Sequence, residues 1–130
     1  MSSQIDQLLN LKTWAIVGLS NNKERAAFGV AKLLIEKGHT IIPVHPKAET
    51  VHGQTGYAKL SDIPVPVDVV DVFINSDLAG NIVNEAIAIG AKGVWLQLDV
   101  IDAAAIERAQ EAGLLAVMNH CPAIEYKKRN

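Results

Sequence analysis

The sequence predicts an α/β protein, with three layers wound around a five-stranded, mainly parallel sheet. Three observations carry that expectation. Short runs of β-branched and apolar residues alternate with longer amphipathic stretches, the pattern of repeated βαβ units. The short runs are apolar almost throughout, as strands buried on both faces are. Glycines close the amphipathic stretches at Gly38, Gly90 and Gly113, where helices commonly end. Right-handed crossovers then give a doubly wound, Rossmann-like fold, which binds ligands beyond the carboxyl ends of its strands.

Each element has its own warrant. Ser3 to Asn10 forms a short N-terminal helix, followed by the first strand at Trp14-Ala15-Ile16-Val17 and a turn at Gly18. Ala26 to Lys37 places Phe28, Val30, Ala31, Leu34 and Ile35 near one helical face. Thr40 to Val44 is the second strand, stopped by Pro46. Residues 45–66 hold Gly53, Gly56, Pro64 and Pro66 and little periodicity, apart from a helical turn at Lys59–Asp62. Val67 to Ile74 is the third strand, Leu78 to Ile89 the next helix and Gly93 to Leu98 the fourth strand. Asp102 caps a helix running to Ala112, and Leu114 to Met118 is the fifth strand. The segment Glu125 to Asn130 reads as a solvated polar tail. Asp68 and Asp71 mark strand entry and pairing rather than acid–base chemistry.

Composition excludes several functions. The 130 residues suit a single domain, residues 1–130, large enough to bury a core unaided. Twelve Lys and Arg against fourteen Asp and Glu leave a formal charge of −2, without the basic footprint of a nucleic-acid binder. One cysteine, Cys121, allows neither an internal disulfide nor a multi-cysteine zinc site, and fits a reducing compartment. Residues 1–10 lack a secretory pattern and no apolar run is long enough to span a bilayer, so a cytoplasmic protein is expected. The four histidines are scattered and predict no metal site.

The first β–α turn, Gly18-Leu19-Ser20-Asn21-Asn22-Lys23-Glu24-Arg25, precedes a helix carrying Gly29 near its start. Glycine admits close approach to a phosphate, a helix N-terminus presents free N–H groups, and Lys23 and Arg25 add charge. A pyrophosphate suits this set. The plainer alternative is that Gly18 only turns the chain and Ser20 or Asn21 caps the helix. The G-x-G-x-x-G spacing of a standard NAD site is missing. The second strand ends in Pro43-Val44-His45-Pro46-Lys47, with no carboxylate before Glu49 to take ribose hydroxyls. Lys47 suits a phosphorylated ribose instead, as in coenzyme A or NADP.

These residues carry a family pattern. The chain resembles the small CoA-binding-domain proteins, relatives of the N-terminal domain of the succinyl-CoA synthetase alpha subunit. The resembling blocks include Trp14 to Ser20, Arg25 with Gly29-Val30-Ala31, Ile42 to Lys47, Ile63 to Phe73, Glu85 to Lys92, Val94 to Leu98, Ala112 to Leu114 and Cys121 to Tyr126. They follow one another collinearly from about residue 5 to residue 127. The resemblance implies that Gly18 to Arg25 and the following helix hold the CoA pyrophosphate, and that Pro43 to Lys47 flank the adenosine. It further implies that Ile74 to Asp77, including Asn75 and Ser76, line the adenine and pantetheine side. Gln97 and the turn Asn119 to Pro122, with Cys121, would then lie toward the thiol. Four positions depart from the family pattern: Ala27 replaces a usual Ser, Ile74-Asn75 an Arg, His45 an Asn and Asp99 a Gly.

The residues His120 and Cys121 are the best candidates for catalysis, yet neighbours in an extended segment point to opposite faces. Cys121 therefore reads first as a small buried hydrophobe. The expectation is a stand-alone module that binds or senses CoA or acyl-CoA without catalysing a reaction. A small NADP-dependent enzyme and a relic domain without a ligand are the alternatives. Exposed apolar faces would support a homodimer.

Overall fold

Five strands and five α-helices alternate along residues 3–129, the part of the chain that the computed structural model describes. In order they are α1 (Gln4–Leu9), β1 (Thr13–Val17), α2 (Ala26–Glu36), β2 (Thr40–Val44), β3 (Val69–Val72), α3 (Ser76–Ala88), β4 (Gly93–Leu96), α4 (Ala103–Glu111), β5 (Leu115–Val117) and α5 (Pro122–Lys128). One turn of 3-10 helix, Leu60–Asp62, lies between β2 and β3. The sheet order is β2-β1-β3-β4-β5 and every neighbouring pair is parallel. The winding reverses at β1, so a crevice opens where the ends of β1 and β3 diverge.

Alternation along the strands builds two cores. Trp14, Ile16, Val69 and Trp95 face the layer that contains α1, α2 and α5, while Ala15, Val17, Val70, Val72, Val94 and Leu96 face α3 and α4. Trp14 and Trp95 are fully buried and their rings lie 5.6 Å apart, a contact that adds about 0.5–1.5 kcal/mol beyond burial. Pro43 is tolerated within β2 because β2 is an edge strand, and the isolated bridge to Tyr57 on its outer side draws on the Pro43 carbonyl and asks no N–H of that residue. Gly93 leaves no room for a side chain: a Cβ there would meet Leu8 Cδ2 at 2.3 Å, so α1 packs directly on the start of β4. Among the described residues no helix is long and apolar enough to cross a membrane.

Three sequence expectations change. The third and fourth strands are shorter than the apolar runs that announce them, ending at Val72 and Leu96, because Phe73, Ile74, Gln97 and Leu98 turn into the loops. The C-terminal segment is helical to Lys128 rather than a solvated tail; Asn130 lies outside the described residues. Pro122 occupies the first turn, where its missing N–H is harmless. Glu125 is buried and gathers Arg129, Lys128 and His120 at 3.1, 3.4 and 3.4 Å. Burial pushes its carboxyl up, but hydrogen bonds from Arg129 and Lys128 outweigh that and hold it below the usual range. Arg129 also reaches Asp6 at 2.6 Å, joining the last helix to the first.

The third change concerns Asp71. It sits in the middle of the central strand, flanked in register by Ile16 and Trp95, rather than marking strand entry. Asp68 does take the entry role, accepting from the Thr13 N–H at 3.0 Å and lying 3.5 Å from Lys92. The Asp71 carboxyl is wholly buried, and neither oxygen has a hydrogen-bond partner. Desolvation therefore raises its pKa well above the carboxylate range.

A second buried titratable group sits between the helical layer and the chain ends. His39 Nδ1 lies 2.8 Å from the Leu11 carbonyl, and its Nε2 contacts the Tyr126 hydroxyl. Burial lowers its pKa, opposed by the backbone contacts to Leu11 and Lys12. The neutral ring consistent with this donates from Nδ1 and accepts at Nε2.

Two stability effects follow, with opposite signs. The raised Asp71 pKa means that its contribution to stability is full below about pH 4 and is lost as pH rises. Asp71→Asn is expected to stabilise the fold at pH 7 by about 1–2 kcal/mol in urea melts. Its advantage should shrink toward pH 4; a variant less stable than the parent at pH 7 contradicts this account. The lowered His39 pKa makes its contribution full above about pH 6.5 and lost as pH falls. Melting temperatures between pH 7 and pH 5 should fall less steeply for His39→Gln than for the parent chain.

Candidate functional site

A cleft of about 750 Å³ runs across the carboxyl ends of β2, β1, β3 and β4. Its depth begins with the backbone at Gly18, which has φ +100 and donates its N–H to the Val44 carbonyl at 2.8 Å. An added Cβ at Gly18 would stand 3.2 Å from Ile74 and 3.3 Å from Phe73, so this position needs glycine both for conformation and for space. The loops after three strands thereby converge. Arg25 precedes α2 in extended conformation and makes no side-chain cap, which leaves the first N–H groups of that helix uncapped by a side chain. Arg25, Ala26 and Ala27 line the cleft. An anion placed there would meet a guanidinium and the positive end of an eleven-residue helix.

The rest of the first loop is occupied with itself and with its neighbour. Ser20 Oγ accepts from the Asn22 N–H, and Asn22 accepts from the Glu24 N–H. Asn21 donates from its backbone to Glu49 and from its side chain to the Thr50 carbonyl at 2.9 Å. His52, at φ +52, contacts the Phe28 carbonyl at 2.9 Å and packs its ring 4.2 Å from Phe28. These bonds tie the segment after β2 onto the start of α2. Neither Ser20 nor Asn21 caps the helix, and Leu19, Ser20, Asn21, Lys23 and Gly29 are not among the cleft-lining residues. Leu19 is fully buried in the core, whereas Gly29 faces open space on α2.

The second loop divides in the same way. His45 and Pro46 line the cleft, while Pro43 is buried in the strand and Lys47 stands exposed beyond the lining. The turn is tight: Ala48 N–H donates to the His45 carbonyl at 2.7 Å and Lys47 N–H to His45 Nδ1 at 3.2 Å. That geometry separates Lys47 from its neighbours in sequence. Lys59, before the 3-10 turn, lines the cleft instead, with Ala58 and Leu60. Sequence reasoning missed Lys59 because residues 45–66 have no periodicity to place them; its position beside a helical turn was the available signal.

Past β3 and β4 the wall becomes apolar. Ile74, Leu78, Ile82, Leu98 and Val100 line it, together with Asn75, Ser76, Gln97, Glu85 and Asp99. The Gln97 side chain is buried, and its Oε1 has no hydrogen-bond partner. Ser76 bridges the loop, donating to the Asp99 carbonyl at 3.3 Å and accepting from the Ile101 N–H at 2.9 Å. Asn119 supports the same loop from behind, accepting from the Asp99 N–H at 2.8 Å. Both partners are left-handed, with φ +68 at Asp99 and φ +60 at Asn119. Asn119 thus lies behind the lining rather than in it. Cys121 is also outside: it is buried in the core beneath α5, and the neighbouring His120 turns to Glu125.

Among expected site residues, the structure therefore gathers Gly18, Arg25, His45, Pro46, Asn75, Ser76 and Gln97 around one cleft. The departures Ala27, Ile74 and Asp99 line it too. The α3 stripe Leu78, Ile82 and Glu85 was missed as site material, since its spacing also fits an ordinary helix face.

Comparison with known proteins agrees with the fold. A hypothetical protein from Pyrococcus horikoshii OT3 superposes with a TM-score of 0.90 at 40% identity, over 95% of this chain and 88% of that one. The uncharacterized protein YneT of Bacillus subtilis (strain 168) is 30% identical over 110 residues, 85% of this chain and 82% of its own. The dinucleotide forming acetyl-coenzyme A synthetase 1 of Ca. Korarchaeum cryptofilum shares the fold, with a TM-score of 0.76 at 22% identity over 88% of this chain and 28% of that much longer one. The family model for the CoA binding domain matches residues 12–127, so the chain belongs to the CoA-binding-domain family.

Proposed function

We propose that the protein binds coenzyme A or an acyl-CoA in this cleft, as a stand-alone binding or sensing module. The observation that carries the reading is the convergence of Arg25 and the uncapped α2 N-terminus on a cleft that continues into an apolar wall. A polyphosphate with a long, neutral arm has that distribution of charge. The pyrophosphate would lie against Gly18, Arg25 and the first amides of α2, with the Gly18-to-Lys23 loop as its rim. His45 and Pro46 would flank the adenosine, and the 3′-phosphate would face the loop tip at Lys47. The arm would pass Asn75 and Ser76 toward Gln97, whose unpartnered oxygen suits an amide N–H. Asn119 and Cys121 would support that end from behind. The same proposal takes residues 1–130 as one cytoplasmic domain, with exposed apolar side chains such as Val65 and Ile124 available to a homodimer.

Calorimetry and thermal shift with CoA, dephospho-CoA, NADP and NAD test the reading. CoA should stabilise the protein, and Arg25→Ala should weaken it by about 10- to 100-fold, the scale of a charge-assisted hydrogen bond. CoA should also exceed dephospho-CoA. That ratio should collapse in Lys47→Ala; a collapse in Lys59→Ala instead moves the 3′-phosphate to the cleft wall. A response to NADP alone replaces CoA by a nicotinamide cofactor, and silence toward all four leaves a domain without a retained nucleotide ligand.

A further inference from the structure

We infer that Asp99 makes the β4 end of the cleft selective for neutral acyl groups and against acyl groups that end in a carboxylate. The inference rests on the CoA reading and adds a substrate class to it. Its first support is the order of charges along the cleft. The lysine and arginine side chains of the lining, Arg25 and Lys59, come from the segments that follow β1 and β2. Asp99 follows β4, and β3 stands between β1 and β4. Two strand spacings, about 10 Å, therefore separate the strand end that leads to Arg25 from the strand end that leads to Asp99. A ligand whose phosphates sit at Arg25 sends its uncharged end toward β4.

The second support is the environment of that end. Ile74, Leu78, Leu98 and Val100 are apolar, and Gln97 is a neutral acceptor whose Oε1 is buried without a partner. None of these offers a positive charge to a carboxylate, and the lining's other acidic residue, Glu85 of α3, has the same sign as Asp99. The third is that Asp99 is fixed. Its N–H donates to Asn119, its carbonyl accepts from Ser76, and its φ of +68 lies in the left-handed region, which aspartate and asparagine tolerate better than other side chains. The backbone cannot swing the carboxylate away without breaking both bonds. A second carboxylate several ångströms from this exposed one, at a dielectric between that of water and that of the protein, loses about tenfold in affinity by like-charge repulsion.

Butyryl-CoA and succinyl-CoA differ only in a terminal methyl against a terminal carboxylate, so the ratio of their dissociation constants reads the effect. The expected ratio favours butyryl-CoA by about tenfold or more and narrows with added salt. Asp99→Asn keeps the shape and the tolerance of a left-handed conformation, and should bring the ratio to within about twofold. Glu107→Gln, which removes an exposed charge on α4 outside the lining, should leave it as in the parent. Equal affinities in the parent chain, or a ratio unchanged by Asp99→Asn, overturn the inference while CoA binding stands. Absence of binding by CoA and both thioesters overturns the CoA reading itself.

Discussion

The cleft depends on how the chain leaves β1. At Gly18 the backbone turns with φ +100, bonds across to β2 and passes within van der Waals reach of Phe73 and Ile74 after β3. Any side chain there would both strain the turn and push the β3 loop outward. Because β1 is the strand at which the winding reverses, this one close approach sets the spacing of the loops on either side. Arg25, His45 and Asn75 share a cleft because the backbone beneath them is drawn together at a residue without a Cβ.

The sheet below has the opposite character, with one deliberate-looking exception. Its strands are apolar on both faces, and the tryptophans of β1 and β4 meet with their rings tilted at 46°. Asp71 interrupts that pattern in the central strand, where burial without hydrogen bonds makes the neutral acid the favoured form. Nothing in the fold rewards a carboxyl there, in contrast to Glu125, whose burial is offset by Arg129 and Lys128. The two acids differ in depth and in partners: Asp71 lies inside the central strand without a hydrogen bond, Glu125 on the last helix within reach of two cations.

The architecture was legible because every strand but the one carrying Asp71 is a β-branched or apolar run and most helices end at a glycine. The helix α5 was not: Lys127, Lys128 and Arg129 read as a solvated run, although Glu125 with Lys128 and Arg129 has helical i,i+3 and i,i+4 spacing, and what had no local signal is the burial of Glu125 and the bond from Arg129 to Asp6. At the site, Gly18 and Arg25 were readable because a turn after a buried first strand constrains what can follow it. Lys47 and Lys59 were not distinguishable, since only the tight turn at His45 to Ala48 decides which of them lines the cleft. Asp99 stood out in the sequence as a departure from glycine, and the left-handed backbone explains why glycine is at home in that position.

The bonds from Asn21 to Thr50 and from His52 to Phe28 join the segment after β2 to the loop after β1 and to the helix that follows it. Loops coupled in this way lose their independent freedom when the chain folds, not when a ligand arrives. For the ligand proposed above, that rim would be preorganised: the entropy of arranging it would be spent on folding, and association would proceed as the docking of a shape already present.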